Sequence, residues 1–367
     1  MKKILQWLLT KPVTWMANRI SSSPKKEKVF SSLTDLAQSI HNQKETSGIV
    51  IPFDLSGAKF IILSDEHKGA RDAADDFRTC EKNYLTALEY YFNNGFQFIN
   101  LGDCEELWEN TPDQVMEKNQ TDLQAEVRFL QADRYYRIFG NHDLQWKYEF
   151  PRTRFLKPVF GEKLKIYEGL VLATTYNNRP YSIFCTHGHQ GDQKSDGNAF
   201  STWFVAAIWT PLQRYLDINV NSISDSFELV DKHNIIMYEW SATQQNTIFI
   251  SGHTHKPVFA SLDHIERLTK QLEKAKAQND TTAMQRIEAE LERRKAEYAG
   301  KQFHKTMVIP SYFNTGCCCF NDGDITGIEI EEDNIRLIKW KEENGQSQRI
   351  VLEESQLSYI FDKITQP

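Results

Sequence analysis

The chain has 367 residues, enough for one large domain or two small ones, and its 40% hydrophobic and 25% charged content is that of a globular protein. A formal net charge of -7 argues against affinity for nucleic acid through broad electrostatic attraction, so no nucleic-acid partner is expected, although a metal or a short basic patch can still hold phosphate locally. Cys80, Cys104 and Cys185 lie in unrelated segments and Cys317, Cys318 and Cys319 are consecutive; this is no disulfide framework, it points to a reducing, cytoplasmic compartment, and the triple cysteine reads as small side chains in a tight strand.

No run of about 18 apolar residues occurs, so no conventional transmembrane helix is expected. Residues 1–28 read as an amphipathic N-terminal segment and linker. Lys2 and Lys3 lead into Ile4, Leu5, Trp7, Leu8, Leu9, Trp15, Met16 and Ile20, Pro12 interrupts any single helix, and no small-residue cleavage site follows. The segment is either an interfacial anchor among lipid headgroups, which would hold the protein peripherally on the inner membrane surface, or a helix packed on the protein's own body.

From about residue 50 short apolar runs end in Asp, Asn or His at intervals typical of alternating strands and helices. Lys59–Leu63 leads into Ser64, Asp65, Glu66 and His67. A stretch with Leu85, Leu88, Tyr91 and Phe92 at helical spacing follows, and Phe96–Leu101 then leads into Gly102 and Asp103. Arg134–Phe139 ends in Gly140, Asn141, His142 and Asp143; Tyr181–Cys185 ends in Thr186, His187, Gly188 and His189; Asn246–Ile250 ends in Ser251, Gly252, His253, Thr254 and His255. Ligands gather outside the carboxyl ends of parallel strands, so these endings can converge. Two divalent cations about 3.5–4 Å apart repel each other and need a bridging carboxylate with several further donors. Carboxylate, imidazole and amide oxygen suit manganese, iron or zinc, and the lack of cysteine at these positions argues against a thiolate zinc site.

Two insertions interrupt the pattern. Residues 198–245 form a lid-like insertion whose Trp203-Phe-Val-Ala-Ala-Ile-Trp209 run either covers the site or is a helix buried in the domain's own core. Residues 262–300, with Ile265, Leu268, Leu272, Met284, Ile287 and Leu291 at near-helical intervals and Asn279-Asp280 as a turn, read as a helical hairpin. Such a hairpin either serves a homodimer or a protein partner, or is a solvated face. Thr306–Ser311, Ile325–Glu331 and Ile335–Trp340 read as strands completing the second sheet; the main domain is expected over 29–345 and a C-terminal extension over 346–367.

The series Asp65-Glu66-His67, Gly102-Asp103, Gly140-Asn141-His142-Asp143, His187-Gly188 and Gly252-His253-Thr254-His255 resembles the five-block signature of calcineurin-like metallophosphoesterases, over roughly residues 58–260. The resemblance implies an α/β (α+β) four-layer fold, two packed mixed β-sheets flanked by helices, and a centre of two divalent metal ions, manganese first, with iron or zinc as alternatives. Asp65, His67 and His255 would hold the first ion, Asp103 would bridge, and Asn141, His187 and His253 would hold the second. His142 would stay unmetallated and protonate the leaving oxygen, with Asp143 either its partner or a helix cap. Glu66 receives no role. His189 and Asp192 either stand behind the ligands or touch substrate, and Trp203 and Trp209 are further substrate contacts.

Gly102-Asp-Cys-Glu-Glu-Leu-Trp108 and Tyr312-Phe-Asn-Thr-Gly316 look like the corresponding blocks of bacterial UDP-2,3-diacylglucosamine pyrophosphohydrolases, which cleave a pyrophosphate in a lipid A precursor at the membrane surface. This chain departs from the best-known members in carrying His142, where they have arginine. The expected activity is hydrolysis of a phosphodiester or pyrophosphate bond in a phosphate ester substrate, with a lipid-linked one such as UDP-2,3-diacylglucosamine in view. A nucleotide or protein phosphatase of the same superfamily would need a polar cleft instead of an apolar lid. A non-catalytic membrane-associated scaffold would not need every expected ligand, and all are retained.

Overall fold

The computed structural model describes residues 25–42, 47–72, 75–191, 227–278, 280–297 and 309–365. The apolar part of the expected anchor, the Trp203–Trp209 run and Asp192 lie outside these residues.

Among the described residues fourteen strands, numbered in chain order, form two seven-stranded sheets. One runs in space β1 (Gly48–Pro52), β6 (Gly169–Tyr176), β7 (Arg179–Thr186), β8 (Thr247–Ser251), β11 (Tyr312–Asn314), β9 (Val258–Phe259), β10 (Leu262–Asp263). The other runs β14 (Gln346–Gln356), β13 (Asn334–Glu343), β12 (Ile325–Glu331), β2 (Lys59–Leu63), β3 (Gln97–Asn100), β4 (Tyr135–Ile138), β5 (Ile166–Tyr167). Both sheets are mixed: β2, β3 and β4 are mutually parallel, as are β7 and β8, while β12 joins β2 antiparallel.

Alternation along the strands builds the layers, since successive side chains leave a strand on opposite faces. Phe60 and Ile62 of β2 meet Leu170, Leu172, Ile183, Ile248 and Ile250 between the sheets. Ile61 and Leu63 face the other way, onto Phe77, Tyr84 and Leu88 of α2 (Phe77–Asn93). Val171, Phe184 and Phe249 leave the far side of the first sheet against α1 (Lys26–His41) and a helix over Phe227–Ser241. Helix, sheet, sheet and helix make four layers, and the strands buried on both faces read as continuous apolar runs for that reason.

Three segments depart from the sequence expectations. α1 begins at Lys26, inside the expected linker, because Val29, Leu33, Leu36 and Ile40 recur at helical spacing and are buried. Of the expected strand Thr306–Ser311, residues 309–311 are described and lie outside any strand, the strand there being Tyr312–Asn314, whereas Ile325–Glu331 and Ile335–Trp340 are strands as expected and extend the sheet that holds β2, β3 and β4. The expected extension from 346 is built into the domain: β14 pairs with β13 along its length, and Leu357, Ile360 and Phe361 of the helix over Leu357–Ile364 fill the core between the sheets.

The hairpin insertion has two helices, His264–Ala277 and Thr281–Glu297, whose Leu268, Ala275, Ile287 and Leu291 make a small core of their own. Among the described residues no helix is long and apolar enough to cross a membrane.

Candidate metal centre

The five motif strands divide between the sheets, β2, β3 and β4 in one and β7 and β8 in the other, and the loops leaving their carboxyl ends meet at the seam. Glycine permits the close approach. A Cβ on Gly140 would overlap the Asp103 carboxylate, and one on Gly252 would overlap Asp65. The loops turn so sharply that five polar residues sit in left-handed backbone conformations: Asp65 (φ 55°), His67 (51°), Asp103 (54°), His253 (69°) and His255 (55°). Each such conformation in a non-glycine residue costs about 1–3 kcal/mol and persists only where its surroundings fix it.

Two clusters result. In the first, His255 Nε2 lies 3.2 Å from Asp65 Oδ1 and 3.2 Å from His67 Nε2, and His67 Nε2 lies 3.7 Å from Asp103 Oδ2. In the second, His187 Nε2 lies 3.1 Å from Asp103 Oδ2 and 3.1 Å from Asn141 Oδ1, with His253 in ligand distance of Asp103 and His187. Asp103 thus belongs to both. Donors about 2.1 Å from one cation stand roughly 3–3.4 Å apart, so these spacings fit a metal.

The hydrogen-bond partners say which nitrogens are bare when the rings are neutral, the form that binds metal. His187 Nδ1 is 3.0 Å from the Leu101 carbonyl, an acceptor only, so Nδ1 carries the proton and Nε2 turns a lone pair toward two oxygens. His67 Nδ1 is likewise 2.9 Å from Glu106 Oε2, leaving its Nε2 bare toward His255. His253 Nε2 is buried and has no hydrogen-bond partner among the described residues. Acceptors facing acceptors in a buried site repel unless positive charge sits between them, and a divalent cation satisfies that demand for all of them together.

Titration behaviour reflects the same demand. Burial disfavours charge on His187, yet the Asp103 and Asp65 carboxylates outweigh it and lift the imidazole to about 9. Burial would raise the Asp103 carboxyl, but His187 and His142 hold it well below the usual carboxylate range. Burial, with His187 and His233 nearby, keeps His253 neutral, the form that binds metal.

His142 is tied to a residue that received no role in the sequence. Glu106 Oε2 accepts from His142 Nδ1 at 2.6 Å as well as from His67, and the Trp108 ring stacks on the imidazole with centroids 3.9 Å apart. Trp108 Nε1 donates to the Asn141 carbonyl at 2.8 Å. The spacing was the available signal: Glu106 and Trp108 stand three and five positions beyond Asp103.

Asp143 is neither partner of His142 nor a side-chain cap. Its carboxylate accepts from Gly140 N at 2.6 Å and Cys104 N at 3.0 Å, tying the second and third motif loops together above the buried Arg137 guanidinium, 3.8 Å away. His189 is buried behind His187, with ring centroids 5.4 Å apart. Cys317, Cys318 and Cys319 are buried free thiols in the connection between β11 and β12, not in a strand, and Cys319 Sγ lies 3.9 Å from His255 Nδ1.

A family model described as calcineurin-like phosphoesterase matches residues 58–257. Among solved structures, a dimetal phosphatase from Danio rerio aligns over 81% of this chain and 99% of its own, at 10% identity and a TM-score of 0.34. Vacuolar Protein Sorting 29 from Cryptosporidium parvum aligns over 82% and 98%, at 12% identity and a TM-score of 0.30. No curated protein matches the sequence.

Proposed function

Because this chain belongs to the calcineurin-like phosphoesterases, the family matched over residues 58–257, we propose that it is a hydrolase of phosphate esters working with two divalent cations held at the seam between its sheets. The observation that carries this reading is the convergence of bare imidazole nitrogens, carboxylates and an amide oxygen on two points that share Asp103. Asp65, His67, His255 and Asp103 would hold one cation; Asp103, Asn141, His187 and His253 would hold the other. When bound, the cations supply Lewis acidity toward phosphoryl oxygens and acidify water.

The chain's own groups do the rest. Glu106 fixes the proton of His142 on Nδ1, so a second proton on Nε2 makes an imidazolium that can pass it to a leaving oxygen. Trp108 holds that ring by its face. The resemblance of the Gly102–Trp108 block to that of UDP-2,3-diacylglucosamine pyrophosphohydrolases supports a pyrophosphate or phosphodiester bond in a lipid-linked nucleotide, and the apolar Trp203–Trp209 run suits acyl chains.

The test is a comparison of turnover by metal-reconstituted protein on UDP-diacylglucosamine, soluble pyrophosphates, phosphodiesters and phosphomonoesters, with metal content measured alongside. Two cations per chain are expected, with both lost or weakened in Asp103→Asn because one carboxylate serves two charges. Binding of one cation or none by the unmodified chain would overturn the dinuclear reading, and preference for a water-soluble nucleotide would overturn the lipid-linked one.

A further inference from the structure

The two halves of the centre are not chemically alike. The second cluster is built from oxygen and imidazole donors only, whereas His67, His255 and Cys319 offer ligand atoms that lie within 4.8 Å of one another. Sequence reasoning found no cysteine at the ligand positions because Cys319 is far from every motif in the chain and is returned to the site by β11.

Its position is built by the fold. β11 runs parallel beside β8, the strand that delivers His253 and His255. Past β11, Thr315 N donates to the Ser251 carbonyl at 2.9 Å, and Thr315 Oγ1 lies 2.6 Å from Ser64 Oγ. Cys318 N donates to the Asp65 carbonyl at 3.1 Å, and Thr326 N to the Cys317 carbonyl at 3.0 Å. The thiol-bearing loop is therefore clamped to the first and fifth motif loops on both sides. Cys319 is 9% exposed, and its Sγ lies 3.9 Å from His255 Nδ1, on the ring whose Nε2 faces Asp65 and His67.

Resting on the reading of this cluster as a metal centre, we propose that Cys319 is a sulfur donor of the half-site formed by Asp65, His67 and His255, and that this half-site takes a thiophilic cation, zinc or iron, in preference to manganese. As the sulfur–metal bond forms, the thiol proton leaves to solvent, which conserves charge and atoms. Soft thiolate ligands favour zinc and iron, while oxygen donors suit manganese, so one sulfur on one side is enough to make the two positions unequal.

Cobalt(II) is the probe, because sulfur ligation gives it a near-ultraviolet charge-transfer absorption that oxygen and nitrogen donors do not. The full chain is titrated with cobalt while bound metal is counted by elemental analysis. Two cobalt ions per chain with the charge-transfer band are expected; the band should be lost in Cys319→Ser and kept in Cys317→Ser. Cobalt binding without the band, or a band that survives Cys319→Ser, would overturn the sulfur donor while leaving the metal centre standing. No cobalt binding at all would overturn the centre and the sulfur donor with it. Cys319→Ser is close to isosteric, and an unchanged unfolding midpoint of the metal-free variant separates loss of a ligand from loss of the fold.

Discussion

A single carboxylate oxygen decides how two imidazoles behave in this site. Glu106 Oε2 accepts from both His67 and His142, so it orients a candidate metal ligand and the proposed proton donor at once. The two functions separate by mutation. His142→Ala should lower turnover about 10²- to 10⁴-fold, least for good leaving groups, with metal content intact. Glu106→Gln should instead cost about 10- to 100-fold in metal affinity and lower turnover as well, since an outer hydrogen-bond partner of a ligand is removed. Steady-state kinetics and elemental analysis of the same two preparations check both. The seven ligand candidates were legible because each follows an apolar run. Glu106 was not, since its partners become neighbours only when the loops meet.

Glu66 offers a second test at this scale. It stands between two ligand candidates but faces away, accepting from Asn100 Nδ2 at 3.1 Å, and burial pushes its carboxyl up to about 8. A carboxyl raised in the folded state binds a proton there that the unfolded chain has released, so its contribution to stability is lost as pH rises toward about 8. Glu66→Gln, neutral at every pH, should match the unmodified protein below about pH 4.5 and gain on it steadily as pH rises to about 8, read as the urea midpoint at each pH. A constant difference across that range would remove Glu66 as the source.

Among the elements, α1 shows most clearly what patterning conveys and what it hides. Its apolar residues recur at helical spacing, yet its first turn is lysine-rich and continuous with a polar stretch, so the boundary fell inside an apparent linker. Leu33 is fully buried against the outer face of the sheet that carries β7 and β8. Leu33→Ala should cost about 2–5 kcal/mol, measured by urea denaturation. The helix also braces the fourth motif loop: a Cβ on Gly191 would stand 2.6 Å from Val29 Cα. The motif strands were easier to find, because double burial makes them unbroken apolar runs. The edge strand β14 hid, because alternation with exposed glutamines and glutamates mimics a polar tail.

For the molecule as a whole, the clusters draw donors from both sheets: Asp65, Asp103 and Asn141 from one, His187, His253 and His255 from the other. Bound cations would join the sheets as well as act on substrate. A cation present at 1,000 times its dissociation constant adds about 4 kcal/mol to the native state. Removal of metal by a chelator should therefore lower the melting temperature, and the loss should shrink steeply in Asp103→Asn, the residue shared by both clusters. An unfolding temperature indifferent to metal in the unmodified chain would show that the cluster holds none.

The seam has a further meaning for tolerance to change. With ligands on both banks, the distance between donors is a gauge of how one sheet sits on the other, and that seating is set by Phe60, Ile62, Leu172, Ile248 and Ile250 in the layer between them. These side chains lie in the core between the sheets, and a gap left by any of them can be relieved by a small slide of one bank against the other. Donors that must agree closely would lose register long before the fold loses cooperativity, so the innermost apolar layer acts as the alignment stage of the candidate metal centre.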